Sequence, residues 1–394
     1  MGTVEVIFWI SAGIVFYTYI GYGLVLWVLV KLKEIFYPLR KPEEGKTFPE
    51  VTLLVAAYNE QQVAEEKIKN SFELDYPREK LNIVWVTDGS TDRTNDILKG
   101  YPEVKLLYLK ERKGKSAAVN RAMQHIDTPL VIFSDANAMI NREAVREIVK
   151  LFNDPKTGCV AGEKRVRSAG DDPLSSKGEN LYWKYESLLK ELDSRFHTAV
   201  GAAGELFAIR RELFSEIEED VLLDDFVLSM SLILKGYRIA YCKRAYATEG
   251  GSLNLEEEKK RKVRISAGGI QAVIRLRKLL NIFRYPALSF QYISHRVLRW
   301  TITPVLLFLL MPLNIMLAVE GNSLLYCFLL AGQLLFYVLG ITGCLMEKIG
   351  SVNKFLMVPC YFLFMNINVI KGFVFLAKRK GGKGTWEKAK RYNN

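Results

Sequence analysis

The sequence predicts an α/β fold, a mostly parallel sheet with helices on both faces, set between apolar helices long enough to cross a membrane. Three observations predict it. Between Glu50 and Tyr246, β-rich runs alternate with helix-prone ones, the pattern that builds parallel sheets. Several of those β-rich runs stop at an acidic or amide residue, which puts oxygen atoms at the carboxyl edge of the sheet, where open α/β sheets bind ligands. Both ends of the chain carry uncharged runs of membrane-spanning length.

Taken in order, Val6 to Val30 holds no charge. Glu5 is the single charged residue before it, so the basic start of a cleaved signal peptide is missing and a retained anchor is expected. Lys31, Lys33, Arg40 and Lys41 follow and place the next segment in the cytoplasm. Strands are expected at Val51–Ala57, Leu81–Thr87, Val104–Leu109 and Leu130–Ser134, with helices from Glu60, at Thr91–Leu98 and at Lys115–His125. A second half offers Cys159–Arg167, a helix near Gly178–Asp193, Glu205–Arg210, a helix at Asp224–Leu234, and Arg238–Tyr241. Asn254 to Arg284 is a charged, helix-prone connector. Arg284 to Arg296 mixes Tyr285, Phe290, Tyr292 and His295 with basic residues, a composition shared by interfacial helices and plain solvated ones. Trp300–Val319 and Gly321–Met346 qualify as spans. Phe355–Ile370 is shorter and holds Pro359, Asn366 and Asn368. The tail after it (Lys378, Arg379, Lys380, Lys383, Lys388, Lys390, Arg391) favours the cytoplasmic side, so this last segment is expected to be re-entrant or interfacial, the alternative being a true span that breaks the charge rule.

The net charge of +12 comes largely from residues flanking these apolar runs. Anionic headgroups and phosphates are therefore the expected partners, and nucleic acid is not. The 5 cysteines form no CxxC pair, and three of them (Cys327, Cys344, Cys360) lie in membrane segments. Neither a disulfide framework nor a zinc site is expected, as befits a reducing cytosol.

The strand ends carry the chemistry. Leu130–Ser134 delivers Asp135 and Asn137, two oxygen-bearing side chains suited to a hard cation shared with phosphates; a turn-making Asp is the competing meaning. The first strand ends Ala57-Tyr58-Asn59-Glu60, where Tyr58 can cover a flat ring and Glu60 can accept from hydroxyls, or Asn59 can cap a helix. The second ends Asp88-Gly89-Ser90-Thr91-Asp92, with Ser90 or Thr91 available as a cap. Lys113-Gly114-Lys115-Ser116 offers a cation to phosphate but lacks the spacing of a P-loop, which argues against an ATPase. Gly201-Ala202-Ala203-Gly204-Glu205 is a tight turn or a surface that lets a ligand approach the backbone. Asp224 and Asp225 open an apolar helix, as ordinary dipole partners or as catalytic groups.

Together and in this order, these residues resemble the nucleotide-sugar half of a family 2 glycosyltransferase with the GT-A fold, a Rossmann-like mixed sheet, in its membrane-bound branch. The resemblance covers roughly Val51 to Gly269. It implies that Tyr58 and Glu60 contact base and ribose, that Asp88 contacts uracil, and that Lys115 serves the donor. It implies that Asp135-Ala136-Asn137 stands in place of the DxD motif and binds the diphosphate through Mg²⁺ or Mn²⁺, with the second carboxylate replaced by an amide. Gly201, Gly204, Glu205 and Asp224 fall in acceptor segments, and Asp225 falls in the place of the general base. Processive members carry Gln-x-x-Arg-Trp where this chain has Arg261-x-x-Arg264-Ile265. Arg264 is retained as a diphosphate clamp, while the missing Gln and Trp count against polymer synthesis.

The expected organisation is an anchor at 1–32, a GT-A catalytic domain at 48–252, interfacial helices at 253–296, membrane segments at 297–377 and a basic tail at 378–394. The expected activity is metal-assisted, inverting transfer of a sugar from a nucleotide sugar, most simply a UDP-sugar, to a glycan or lipid-linked acceptor at the cytoplasmic face of the cell membrane. A processive β-linked polysaccharide synthase and a catalytically impaired membrane partner are the alternatives.

Overall fold

The computed structural model describes residues 2–38, 48–167, 174–252, 255–320, 323–348 and 354–379. The first helix, α1 (Thr3–Phe16), passes through a π-helical turn at Tyr17–Gly21 into α2 (Tyr22–Phe36). β1 (Val51–Ala57), α3 (Ala64–Phe72), β2 (Leu81–Asp88), α4 (Thr94–Lys99), β3 (Val104–Leu109), α5 (Lys115–Met123) and β4 (Leu130–Asp135) make the first half of the sheet domain. Its second half is β5 (Met139–Ile140), α6 (Ala144–Leu151), β6 (Thr157–Arg167), α7 (Leu174–Phe196), β7 (Phe207–Arg210), α8 (Asp224–Leu234) and β8 (Arg238–Gly250). After it come α9 (Leu255–Arg275), α10 (Pro286–Tyr292), a short α11 (Leu298–Trp300), and three apolar helices, α12 (Ile302–Glu320), α13 (Leu324–Lys348) and α14 (Lys354–Lys378).

The sheet is mixed, with strand order β3-β2-β1-β4-β7-β6-β8-β5. β1 runs parallel to β2 and β4, and β2 to β3. These strands read as nearly unbroken apolar runs because both faces are covered. Alternate residues divide between two cores. Leu54, Val84 and Phe133 pack with α5 and α8, whereas Leu53, Trp85 and Ile132 pack with α3 and α6. The parallel register sets Ala56 opposite both Val86 and Asp135, so the ends of β1, β2 and β4 share one edge. β7 is antiparallel to β4, with Phe207 stacked on Phe133 at a ring separation of 4.6 Å. A strand that runs backwards starts where its neighbour ends, so the Gly201–Glu205 segment arrives beside Asp135. α8 starts at that edge too and ends at Gly236, whose φ of +88° only glycine adopts readily.

Two local expectations change. The helix expected from Glu60 starts at Ala64, and Asn59 does not cap it. Asn59 has φ 53°, outside the helical range, and its side-chain oxygen accepts from the Thr91 N–H at 2.8 Å, tying the β1 and β2 exits together. α4 starts at Thr94, with Asp92 rather than Ser90 or Thr91 accepting from its first N–H at 3.0 Å.

Four helical runs are long and apolar enough to cross a membrane: Thr3–Phe36, Ile302–Glu320, Leu324–Glu347 and Phe355–Lys378. Length alone therefore does not make the last one re-entrant. Phe362 packs against Tyr19 and against Phe336 of α13, so this helix meets the other apolar helices as well as the sheet side. The Tyr361 hydroxyl donates to Glu258 of α9 at 3.1 Å, Gly372 abuts Ser266 and Ala267, and Arg379 donates to the Asp220 carbonyl at 3.4 Å. The expectation of no disulfide is overturned at one place. Cys344 of α13 and Cys360 of α14 are joined where Gly343 lets the helices meet; a Cβ there would lie 2.7 Å from the Leu356 carbonyl. Arg40, Lys41 and the tail beyond Arg379 lie outside the described residues.

Candidate active site

The site forms where β4 ends. Beneath that end runs Lys67, fully buried on the inner face of α3 with Ala64, Ile68 and Ser71. Its ammonium donates to Ser134 Oγ at 2.8 Å and to the Ala138 carbonyl, and burial pushes its pKa down to about 7. These bonds fix the turn that presents Asp135 and Asn137, both half-buried. Lys67 was not among the residues expected here. Its signal is a lysine at helical spacing among small and apolar residues, where an exposed face would normally put it elsewhere.

Lys115, the first residue of α5, reaches into the cleft. Its Nζ lies 2.8 Å from Asp135 Oδ1 and 4.0 Å from Asp224 Oδ2. Burial opposes its charge, yet Asp135, Asp224 and Asp225 together hold the ammonium above its ordinary range. Asp225 lies deeper. Burial first, and then the neighbouring Asp224, push its carboxyl up to about 7 against the pull of Lys115. Its Oδ1 accepts from the Phe226 N–H at 2.8 Å. The groups converge at Gly204, where a Cβ would stand 3.2 Å from Asp225 Oδ2, 3.3 Å from Lys115 Nζ and 3.7 Å from Asp135 Oδ2. Lys115, Ser134, Asp135, Gly204, Asp224 and Asp225 line one cavity. Arg264 on α9 feels the same three carboxylates; burial lowers its guanidinium and they oppose that shift.

Gly201 holds Phe226 in register with this cluster. Its φ is +84°, and a Cβ would lie 2.2 Å from the Phe226 ring. Gly201→Ala is expected to cost about 1–2 kcal/mol in backbone strain alone. It also displaces Phe226, and with it Asp225, so activity should fall further than the melting temperature implies; assays beside thermal unfolding check this.

The β1 and β2 exits lie along the same sheet edge, and Tyr58, Glu60 and Asp88 are not among the residues lining that cavity. Asp88 accepts from the Lys113 N–H at 2.9 Å and the Gly114 N–H at 2.6 Å, so its carboxylate shapes the 112–114 loop. Gly89 is required beneath that loop, since a Cβ would lie 2.9 Å from Arg112 N. The Arg112 guanidinium sits over the Tyr58 ring at 3.9 Å. Glu60 is buried, its N–H donating to Thr94 Oγ1 at 2.8 Å. Asn120, part of the Gly114-Lys115 motif, bonds both backbone groups of Ile217, at 2.9 and 2.8 Å. Glu205 is buried beside the cleft, and its charge adds to the upward shift of Asp225. Its carboxylate pairs with Lys164, which is also paired with Glu249 and lies 3.8 Å from Glu179. Arg261 joins that buried network through Glu179 and Glu258.

Asp135 and Asn137 offer hard oxygen ligands of the kind Mg²⁺ and Mn²⁺ prefer. Among the described residues no group of three His, Cys, Asp or Glu side chains is placed to hold a metal. The pair therefore fits an ion that takes its other ligands from a diphosphate and water.

Acids, a lysine and a close-approach glycine at the carboxyl edge of a mixed sheet are the equipment of a glycosyltransferase of the GT-A kind. Residues 52–218 match the model of glycosyl transferase family 2. The chain is 28% identical over 282 residues to the poly-beta-1,6-N-acetyl-D-glucosamine synthase of Staphylococcus aureus (strain COL), a match that covers 68% of this chain and 64%, just under two thirds, of that relative. A mannosyltransferase from Pyrobaculum calidifontis, solved in complex with GDP-Man and Mn2+, shares the fold with a TM-score of 0.71 and 23% identity, covering 94% of this chain and 99% of that one.

Proposed function

We propose that the chain is a membrane-anchored, inverting glycosyltransferase with its sheet domain facing the cytoplasm, moving a sugar from a UDP-sugar to a glycan or lipid-linked acceptor. The observation that carries this is the convergence of Asp225, Lys115 and Asp135 at Gly204. Such a transfer is one in-line displacement, in which the acceptor hydroxyl must lose its proton as it attacks the anomeric carbon. Asp225 takes that proton; burial and Asp224 give it the basicity to do so at neutral pH. Gly204 leaves room for the acceptor, and Asp224 and the Gly201–Glu205 backbone orient it. Tyr58, Glu60 and Asp88 form the nucleoside end of the cleft. Lys115 and Arg264 take up charge on the leaving diphosphate, and Asp135 and Asn137 would hold a Mg²⁺ or Mn²⁺. That ion supplies Lewis-acid stabilisation of the same charge. Four apolar helices and the basic flanks support a multi-pass membrane location.

The likeness to a poly-beta-1,6-N-acetyl-D-glucosamine synthase favours a second reading, a processive β-linked polymer synthase, with UDP-N-acetylglucosamine the first donor to try. UDP release by the purified chain with candidate donors and membrane lipid extracts tests both. At limiting enzyme, long chains beside untouched acceptor mark a synthase, and uniformly short products mark single transfers. Nucleotide release with none of the donors, and no nucleotide binding, would sink both and leave an impaired membrane partner.

A further inference from the structure

The cleft carries a cation of its own. The Lys115 ammonium is 2.8 Å from Asp135 Oδ1 and 4.0 Å from Asp224 Oδ2. A divalent ion approaching Asp135 thus meets a carboxylate that is already paired. The other oxygen on that turn, Asn137, brings no charge, and the affinity of oxygen sites is tuned by ligand charge. Among the described residues no third carboxylate or imidazole completes a cage. A diphosphate changes both conditions, since it offers the lysine a stronger anionic partner and gives the ion its missing oxygens. The lysine sits at the end of a flexible four-carbon stem on the first residue of α5, so its head can move while the helix stays in place.

We propose that Lys115 is a displaceable counter-ion. It neutralises Asp135 while the cleft holds no donor and passes to the diphosphate when the donor arrives, so the cleft accepts its divalent ion only together with a nucleotide. This rests on the nucleotide-sugar donor proposed above.

The test is Mn²⁺ binding to the full chain in detergent, read from the free-ion signal in electron paramagnetic resonance, with and without UDP. Wild type should bind Mn²⁺ weakly alone and at least about tenfold more tightly with UDP. Lys115→Met should bind Mn²⁺ without UDP at least about tenfold more tightly than wild type, because a like charge has left Asp135. Lys115→Arg keeps the charge and should keep the dependence on UDP. Mn²⁺ affinity in wild type that is the same with and without UDP overturns the proposal. So does a Met variant whose nucleotide-free affinity is unchanged. If the Met variant does not fold, Lys115→Gln removes the same charge and is held to the same two outcomes. UDP binding that persists while these Mn²⁺ results fail removes the counter-ion alone; a wild type that binds no nucleoside diphosphate removes the donor as well.

Discussion

Asp225→Asn is expected to lower kcat by about 10²- to 10⁴-fold, the range contributed by a positioned general base, while UDP binding persists. The amide fills the same space and keeps an oxygen for the Phe226 N–H, which Asp225 now engages at 2.8 Å, so folding and donor binding have no reason to change. Only the capacity to take a proton is lost. The wild-type pH profile makes the same point. Burial and Asp224 hold the Asp225 carboxyl up to about 7. The base works only when ionised, so kcat/KM should rise as pH passes through about 7 and level off above it. Asp224→Asn removes a like charge and should move that limb to lower pH. UDP release across the neutral range, with calorimetry of UDP binding, measures both effects. Normal turnover by the Asn variant would remove Asp225 from the mechanism.

Asp135→Ala is expected to weaken metal-dependent UDP binding by about 100-fold or more, the scale of losing a bond to a charged group. Asp135 is the charged member of the proposed ligand pair Asp135 and Asn137, and it is also the partner of Lys115. Its removal takes away the ion's anchor and frees the lysine to turn towards Asp224 and Asp225. Asn137→Ala should cost much less, because it removes a neutral oxygen. Calorimetry of UDP in Mn²⁺ distinguishes the two variants, and equal losses would mean that Asn137 holds the ion as firmly as Asp135.

What could be read from the chain, and what could not, divides along physical lines. Asp135, Lys115, Asp224 and Asp225 stand at strand or helix ends, and the parallel register brings such ends to one edge, so their meeting was legible. The edge itself followed from alternation and from apolar runs buried on both faces. Glu205 was legible as part of the Gly201–Glu205 segment, but its ion-pair partner was not. Its partner Lys164 lies on β6, and only the β6–β7 pairing brings them together. Lys67 was missed, and Asn59 misread as a helix cap, for a related reason. A buried lysine beneath a strand end and an asparagine with φ 53° serve neighbours far away in sequence, which local spacing does not show. The seat of α14 depends on contacts with Glu258, Ser266 and Asp220, and the Cys344–Cys360 pair on the approach of two helices at Gly343. Hydropathy reports how apolar a segment is and carries no information about which surface it meets.

The proposed single displacement, with Asp225 as the base, would invert the anomeric carbon, and the configuration of the new bond tests this most directly. Transfer from a ¹³C-labelled, α-linked UDP-sugar, followed by NMR of the purified product, should show a β linkage. An α linkage would contradict the mechanism.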